Sequence, residues 1–107
     1  MTNTPTIPNI PLPDGAVRAF EWESPEHTGF PNWVRYFDGT TRTIELTGQA
    51  TDVEVTIEGT QYGDGRLDCP MIRVRDVDPD SPLTIHEARE LAAALTAAAY
   101  EAGGWAR

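Results

Sequence analysis

Apolar and polar residues alternate without a break from Asp52 to Gly59, with Val53, Val55 and Ile57 on one side and Glu54, Thr56 and Glu58 on the other. A period of two predicts a strand with one face in a core and one in water. Thr41 to Thr47 repeats the pattern, setting Ile44 and Leu46 against Thr43, Glu45 and Thr47. Ala16 to Glu23 predicts a further strand, with Phe20 and Trp22 on one face and Val17 and Ala19 on the other, and Trp33 to Phe37 a short aromatic one. Breakers divide these runs: Asp14-Gly15, the loop Ser24 to Pro31, the turn Asp38-Gly39, and Gly48. Gly63-Asp64-Gly65 predicts a hairpin tip, after which the chain returns through Arg66 to Val77 with Met71, Ile72, Val74 and Val77 as its apolar contacts. Proline lacks the ladder N–H, so Cys69-Pro70 belongs at an edge, a bulge or the strand's beginning. Arg73 and Arg75 alternate with Ile72 and Val74, which directs them to solvent or to pairing across the sheet with Glu54 or Glu58.

From Thr84 to Ala102 the period becomes helical, collecting Ile85, Ala88, Leu91, Ala92, Leu95, Ala98, Ala99 and Ala102 on a stripe expected to cover the sheet. Thr84 with Glu87 three residues on spells a capping box, Leu83 is placed to staple to Ala88, and Gly103-Gly104 stops the helix. On the opposite side Ala93, Ala97 and Tyr100 stack at helical spacing between Glu87, Glu90, Glu101 and Arg89, a candidate interface with a symmetry mate. The elements together predict an α+β fold: an antiparallel four- to five-stranded meander sheet with one C-terminal helix packed on one face. Ahead of it, residues 1–13 carry Pro5, Pro8, Pro11 and Pro13 and read as a Pro-rich N-terminal tail or polyproline-type arm, leaving 14–107 as a single α+β domain.

Composition narrows the function. A chain of 107 residues, 39% hydrophobic, fits one modest core. Seventeen Asp and Glu against eight basic residues, all arginine, give a net charge of −9, which disfavours direct contact with nucleic acid or anionic membranes. One cysteine, Cys69, forms no internal disulfide, and the sequence shows neither an apolar leader nor a spanning run, so a cytoplasmic location is expected. Catalysis has little raw material. His27 lies in a Pro/Gly loop, His86 in the first helical turn, and Cys69 has no Cys-x-x-Cys partner. No enzyme activity and no cofactor are expected.

One segment carries a chemical signal. Asp76, Asp78, Asp80 and Glu87 are spaced like the side-chain ligands of a Ca²⁺-binding EF-hand loop. Against that reading, Ser81 stands where the loop's sharp turn demands glycine, Pro79 and Pro82 constrain the backbone, and a strand precedes it instead of a helix. The same acids complement the positive end of the helix macrodipole, and the segment is read as a capped entry into the helix.

The last third of the chain, a strand followed by Leu83-Thr84-Ile-His-Glu-Ala88-Arg89-Glu-Leu91-Ala92-Ala-Ala-Leu95-Thr-Ala-Ala98, resembles small uncharacterised proteins of actinobacteria and their phages. These end in a strand and a helix of the form Leu-Thr-x-x-x-Ala-Arg-x-Leu-Ala-x-Ala-Leu. The resemblance implies a helix closing a small sheet and no catalytic role, and it does not reach the aromatic N-terminal half. A single helix covers only part of such a sheet, so Trp22, Trp33 and Phe37 join Ala93, Ala97 and Tyr100 as interface candidates. The expected function is a non-enzymatic, acidic protein-interaction module, a homodimer or a phage or accessory protein acting on a host partner. Its alternatives are a nucleic-acid mimic that blocks a DNA-binding protein and a Ca²⁺-stabilised module.

Overall fold

The computed structural model describes residues 6–48, 51–68 and 70–105. Met1 to Pro5 of the Pro-rich segment and Cys69 lie outside the described residues. The strands are β1 (Arg18–Ala19), β2 (Val34–Ile44), β3 (Val53–Tyr62) and β4 (Met71–Arg75), with a short helix α1 (Pro25–Thr28) after β1 and the long helix α2 (Ile85–Ala102) at the end. They form one antiparallel sheet in the order β1-β2-β3-β4, a meander, with α2 packed against it.

Asp38-Gly39 lies inside β2, where the sequence predicts a turn between two strands. Pairing runs Asp38↔Glu58 and then Thr41↔Thr56, so β2 advances three residues while β3 retreats two. The extra residue is a β-bulge, and it reverses which parity faces the core. Phe37, paired with Gly59, and Ile44, paired with Val53, thereby point to the same face although one number is odd and the other even. Without the bulge the two apolar sets of β2 would face opposite sides. Two predicted strands thus become one of 11 residues.

The aromatic run after Gly15 is also irregular. Between Ala19↔Phe37 and Glu23↔Val34 the first segment moves four residues and β2 moves three, leaving only Arg18–Ala19 as regular strand. Phe20 and Trp22 therefore do not share one face as the alternation predicts: Arg18 lies 4.7 Å from the Phe20 ring centre and Arg35 4.4 Å from that of Trp22. The predicted loop that follows contains α1, capped by the Ser24 hydroxyl accepting from the His27 N–H at 3.2 Å and ended by Gly29 at φ 78°.

The core seam joins Ile44, Leu46, Val53, Val55 and Ile57 of the sheet to Ala98 and Ala102 of α2, with Ile72, Leu83, Leu91, Ala94, Leu95 and Trp105 packed around it. Burying an aliphatic side chain stabilises by roughly 1.5–3 kcal/mol, against about 0–1 for an exposed ion pair, so this seam holds the fold. The buried stripe of α2 is rotated from the predicted one. Ile85 is 73% exposed and Ala88, Ala92 and Ala99 are exposed, while Glu87, expected on the solvent side, is buried. Leu83 enters the core from outside the helix and takes the place expected of Ile85.

Beyond the reach of α2, the same sheet face is covered by the N-terminal segment. Arg35 donates to the Ile10 carbonyl at 2.8 Å and to Gln61 Oε1 at 2.8 Å, and Gln61 Nε2 donates to the Pro11 carbonyl at 3.1 Å. Arg35 and Gln61 are cross-strand partners, so this network fixes Ile10 and Pro11 over one register position.

Candidate interaction surface

The face of α2 turned away from the sheet exposes small and apolar side chains. Ala92, Ala93, Thr96, Ala97 and Tyr100 line a shallow hollow bordered by Arg42 and Glu101. Tyr100 is 89% exposed, and an aromatic side chain so placed has exchanged little of its water for protein contact. The spacing that buries Leu91, Ala94, Leu95, Ala98 and Ala102 forces Arg89, Ala93, Thr96 and Tyr100 outward, since they sit half a turn away. Sequence reasoning placed Ala93, Ala97 and Tyr100 on this surface, and all three are exposed.

The border of the hollow is polar and ordered. Arg42 Nη2 donates to Glu101 Oε1 at 3.0 Å, and the Thr40 N–H reaches Glu101 Oε2 at 3.5 Å. Burial raises the affinity of Glu101 for a proton, but the bonds from Arg42 and Thr40 outweigh it and leave the carboxyl below the ordinary range. Arg42 Nη1 is buried without a hydrogen-bond partner among the described residues.

The aromatic candidates separate. Phe37 is 1% exposed and is no surface residue. Its ring lies across Gly59 and against Trp105, because glycine leaves no Cβ in the way. Trp22 is half-buried beneath Arg35, and Trp33 is half-buried beside the β3–β4 hairpin, where its carbonyl accepts from the Gly63 N–H at 2.8 Å. No aromatic patch joins the three.

The Asp76 to Glu87 segment is arranged as a helix entry. Glu87 Oε1 accepts from the Thr84 N–H at 2.9 Å while the Thr84 hydroxyl accepts from the Glu87 N–H at 3.0 Å, the reciprocal capping box. The other oxygen, Oε2, accepts from the Thr47 N–H at 2.9 Å and the Thr47 hydroxyl at 3.3 Å, tying α2 to the chain beyond β2. These backbone donors, Thr84 first and Thr47 next, hold the Glu87 carboxyl below the ordinary range despite its burial. Asp78 accepts from the Asp80 N–H at 2.9 Å and the Ser81 hydroxyl at 3.0 Å, an Asx turn. Asp76, at φ 65°, turns the chain out of β4. The four acids do not converge, and among the described residues no three His, Cys, Asp or Glu side chains gather closely enough to hold a metal ion.

The open sheet face mixes charged side chains with the exposed Phe20, Tyr36 and Met71, which line a hollow beside Glu58, Arg73 and Arg75. Arg73 Nε donates to Glu58 Oε2 at 2.8 Å and Arg75 lies 3.6 Å from the same oxygen, the cross-strand pairing expected for these arginines. Glu58 holds the Arg73 guanidinium above its ordinary range. Thr41 and buried Thr56 share a hydrogen bond of 3.0 Å at the floor of a hollow flanked by Arg18, Asp38, Glu54 and Arg75. Charges of both signs alternate there. His27 and His86 are exposed beside Glu23 and Glu90, four residues away in each case.

No described helix is long and apolar enough to cross a membrane. Compared with protein-family models, curated proteins and solved structures, the chain matches none.

Proposed function

We propose that this chain is a non-enzymatic protein-interaction module whose contact surface is the outer face of α2. The observation that carries the reading is the exposed run Ala92, Ala93, Thr96, Ala97 and Tyr100, a weakly polar strip with one fully presented tyrosine and no acidic side chain at its centre. Interface cores are depleted in charge and enriched in tyrosine, and small neighbours allow a partner's backbone to approach closely. A stripe of alanines also serves helix propensity, but propensity gives no reason for a bare tyrosine. The setting we propose is cytoplasmic, in a phage or accessory protein related to the small actinobacterial proteins that its last third resembles.

The nucleic-acid-mimic reading gains no comparable support. Acids arranged as a phosphate row would lie unpaired along one face. Three of this chain's acids are not free for that role: Glu58 is held by Arg73 and Arg75, Glu101 by Arg42, and Asp64 lies 3.6 Å from Arg66.

The test combines light scattering on the purified chain with affinity capture by wild type and by Ala93→Glu. A self-association or a captured protein that the variant abolishes supports the reading. A strict monomer that retains nothing overturns it.

A further inference from the structure

The outer face of α2 has a pattern that complements itself. Arg89, Ala93, Thr96 and Tyr100 are spaced four, three and four residues apart, so they lie in one row along the helix. The row is symmetric about the midpoint between Ala93 and Thr96, with small residues flanking the centre, a cation at one end and an aromatic ring at the other. Tyr100 is 89% exposed, and Arg89 is exposed and has no ion pair or ring contact among the described residues. Every other described arginine is engaged. Arg18, Arg35 and Arg66 lie over aromatic rings, and Arg42, Arg73 and Arg75 pair with glutamates.

We propose that the occupant of this face is a second copy of the chain, its α2 laid antiparallel across the first about a two-fold axis between Ala93 and Thr96. This proposal rests on the interaction reading above and names its partner. A two-fold contact must match a surface to itself, and an antiparallel helix pair sets each residue against the one equally far on the other side of the axis. Ala93 then meets Thr96 of the partner copy, and small side chains permit a close helix approach of about 8 Å. Arg89 meets the other copy's Tyr100 twice, once at each end, placing a guanidinium on a ring face with the Glu101 carboxylate beside it. A parallel pair would set Arg89 against Arg89 and match nothing.

Two opposing terms bound the strength. One helix pair falls at the small end of specific interfaces, below roughly 1,200 Å² in total. Two chains of net charge −9 also repel. The dimer is therefore reversible and favoured by salt, which screens the net repulsion more than the desolvated contacts at the axis.

Sedimentation equilibrium of the full chain, across concentrations up to about 1 mM and at two salt levels, gives the reading. Wild type is expected to show a monomer–dimer equilibrium strengthened by salt, and Ala93→Glu to abolish it. Tyr100→Arg, which sets arginine against arginine, is expected to weaken dimerisation roughly 3- to 30-fold. Adding Arg89→Tyr to that variant exchanges the two ends and is expected to restore wild-type association, because only an antiparallel pair again sets each tyrosine against an arginine. Thermal melts of each variant confirm folding, since these side chains lie outside the core. A wild-type dimer that the exchange fails to restore overturns the antiparallel pairing. A wild-type monomer throughout the range overturns self-pairing, and if Ala93→Glu still releases a different captured protein, the interaction reading stands without it.

Discussion

Trp105 packs against Phe37 with ring centroids 5.3 Å apart and planes inclined by 33°. The contact joins the residue just past the end of α2 to the middle of β2, and it needs two absences. A Cβ on Gly39 would collide with the Trp105 ring, and one on Gly15 would lie 2.6 Å from its Nε1. Gly39 lies in the bulge with Thr40, and Gly15 sits at φ 91°, so the deformations that bend the chain also make the slot for the indole.

Gly39→Ala is accordingly expected to expel Trp105 from its slot. Overpacking of this kind costs roughly 1–3 kcal/mol, and each kcal/mol lowers Tm by about 4–8 °C in a domain near this size. Thermal melts followed by near-ultraviolet circular dichroism check it. An unchanged Tm with an unchanged aromatic signal would show that the slot has room to spare.

Glu87 serves two elements at once, so its removal should cost more than the loss of an ordinary cap. Glu87→Ala is expected to lower Tm by several degrees, and Thr84→Ala by less. Because both belong to one network with Thr47, the double variant should fall short of the sum of the singles. Strict additivity in a double-mutant cycle would contradict the shared network.

Acid should destabilise the fold through two named carboxylates. Glu87 and Glu101 both bind protons less readily when folded than when unfolded. Their contribution is therefore complete above the unfolded glutamate value, about 4.3, and is lost as pH falls through their lower folded values. Equilibrium denaturation at pH 6 and pH 3 should show the drop, and Glu101→Gln should shrink it.

Exposed pairing on the open face should matter little. Glu58→Gln removes the charge that Arg73 and Arg75 share, yet all three side chains retain solvent contact, and such pairs contribute little once screened. A Tm change of no more than a degree or two is expected, vanishing at high salt.

Millimolar Ca²⁺ is expected to leave Tm unchanged, because both Glu87 oxygens accept protein hydrogen bonds and Asp78 is spent on its own turn. A ligand that binds only the folded state must raise Tm, so a clear rise would reverse this reading of the segment.

The alternation of β3, the capping box at Thr84 and Glu87, the glycine hairpin tip and the cross-strand partners of Arg73 and Arg75 were legible in the chain itself. Each is a local signal: a side chain meets a backbone group or a cross-strand neighbour whose distance the periodicity already sets. The exposed Ala93, Ala97 and Tyr100 were legible for the same reason, since helical phase alone opposes them to Leu91 and Leu95. Only the tertiary structure decided the rest. Asp38-Gly39 has the letters of a turn, and what makes it a bulge is the need of one strand to bring both Phe37 and Ile44 to the same face. Glu87 has the charge of a solvent residue and is buried because Thr47, 40 residues away, supplies donors for it. Phe37 left the interface candidates because Trp105 and Gly59 enclose it. Sequence pattern determines which residues belong together along an element, while the burial of any one of them depends on which distant segment arrives to cover it.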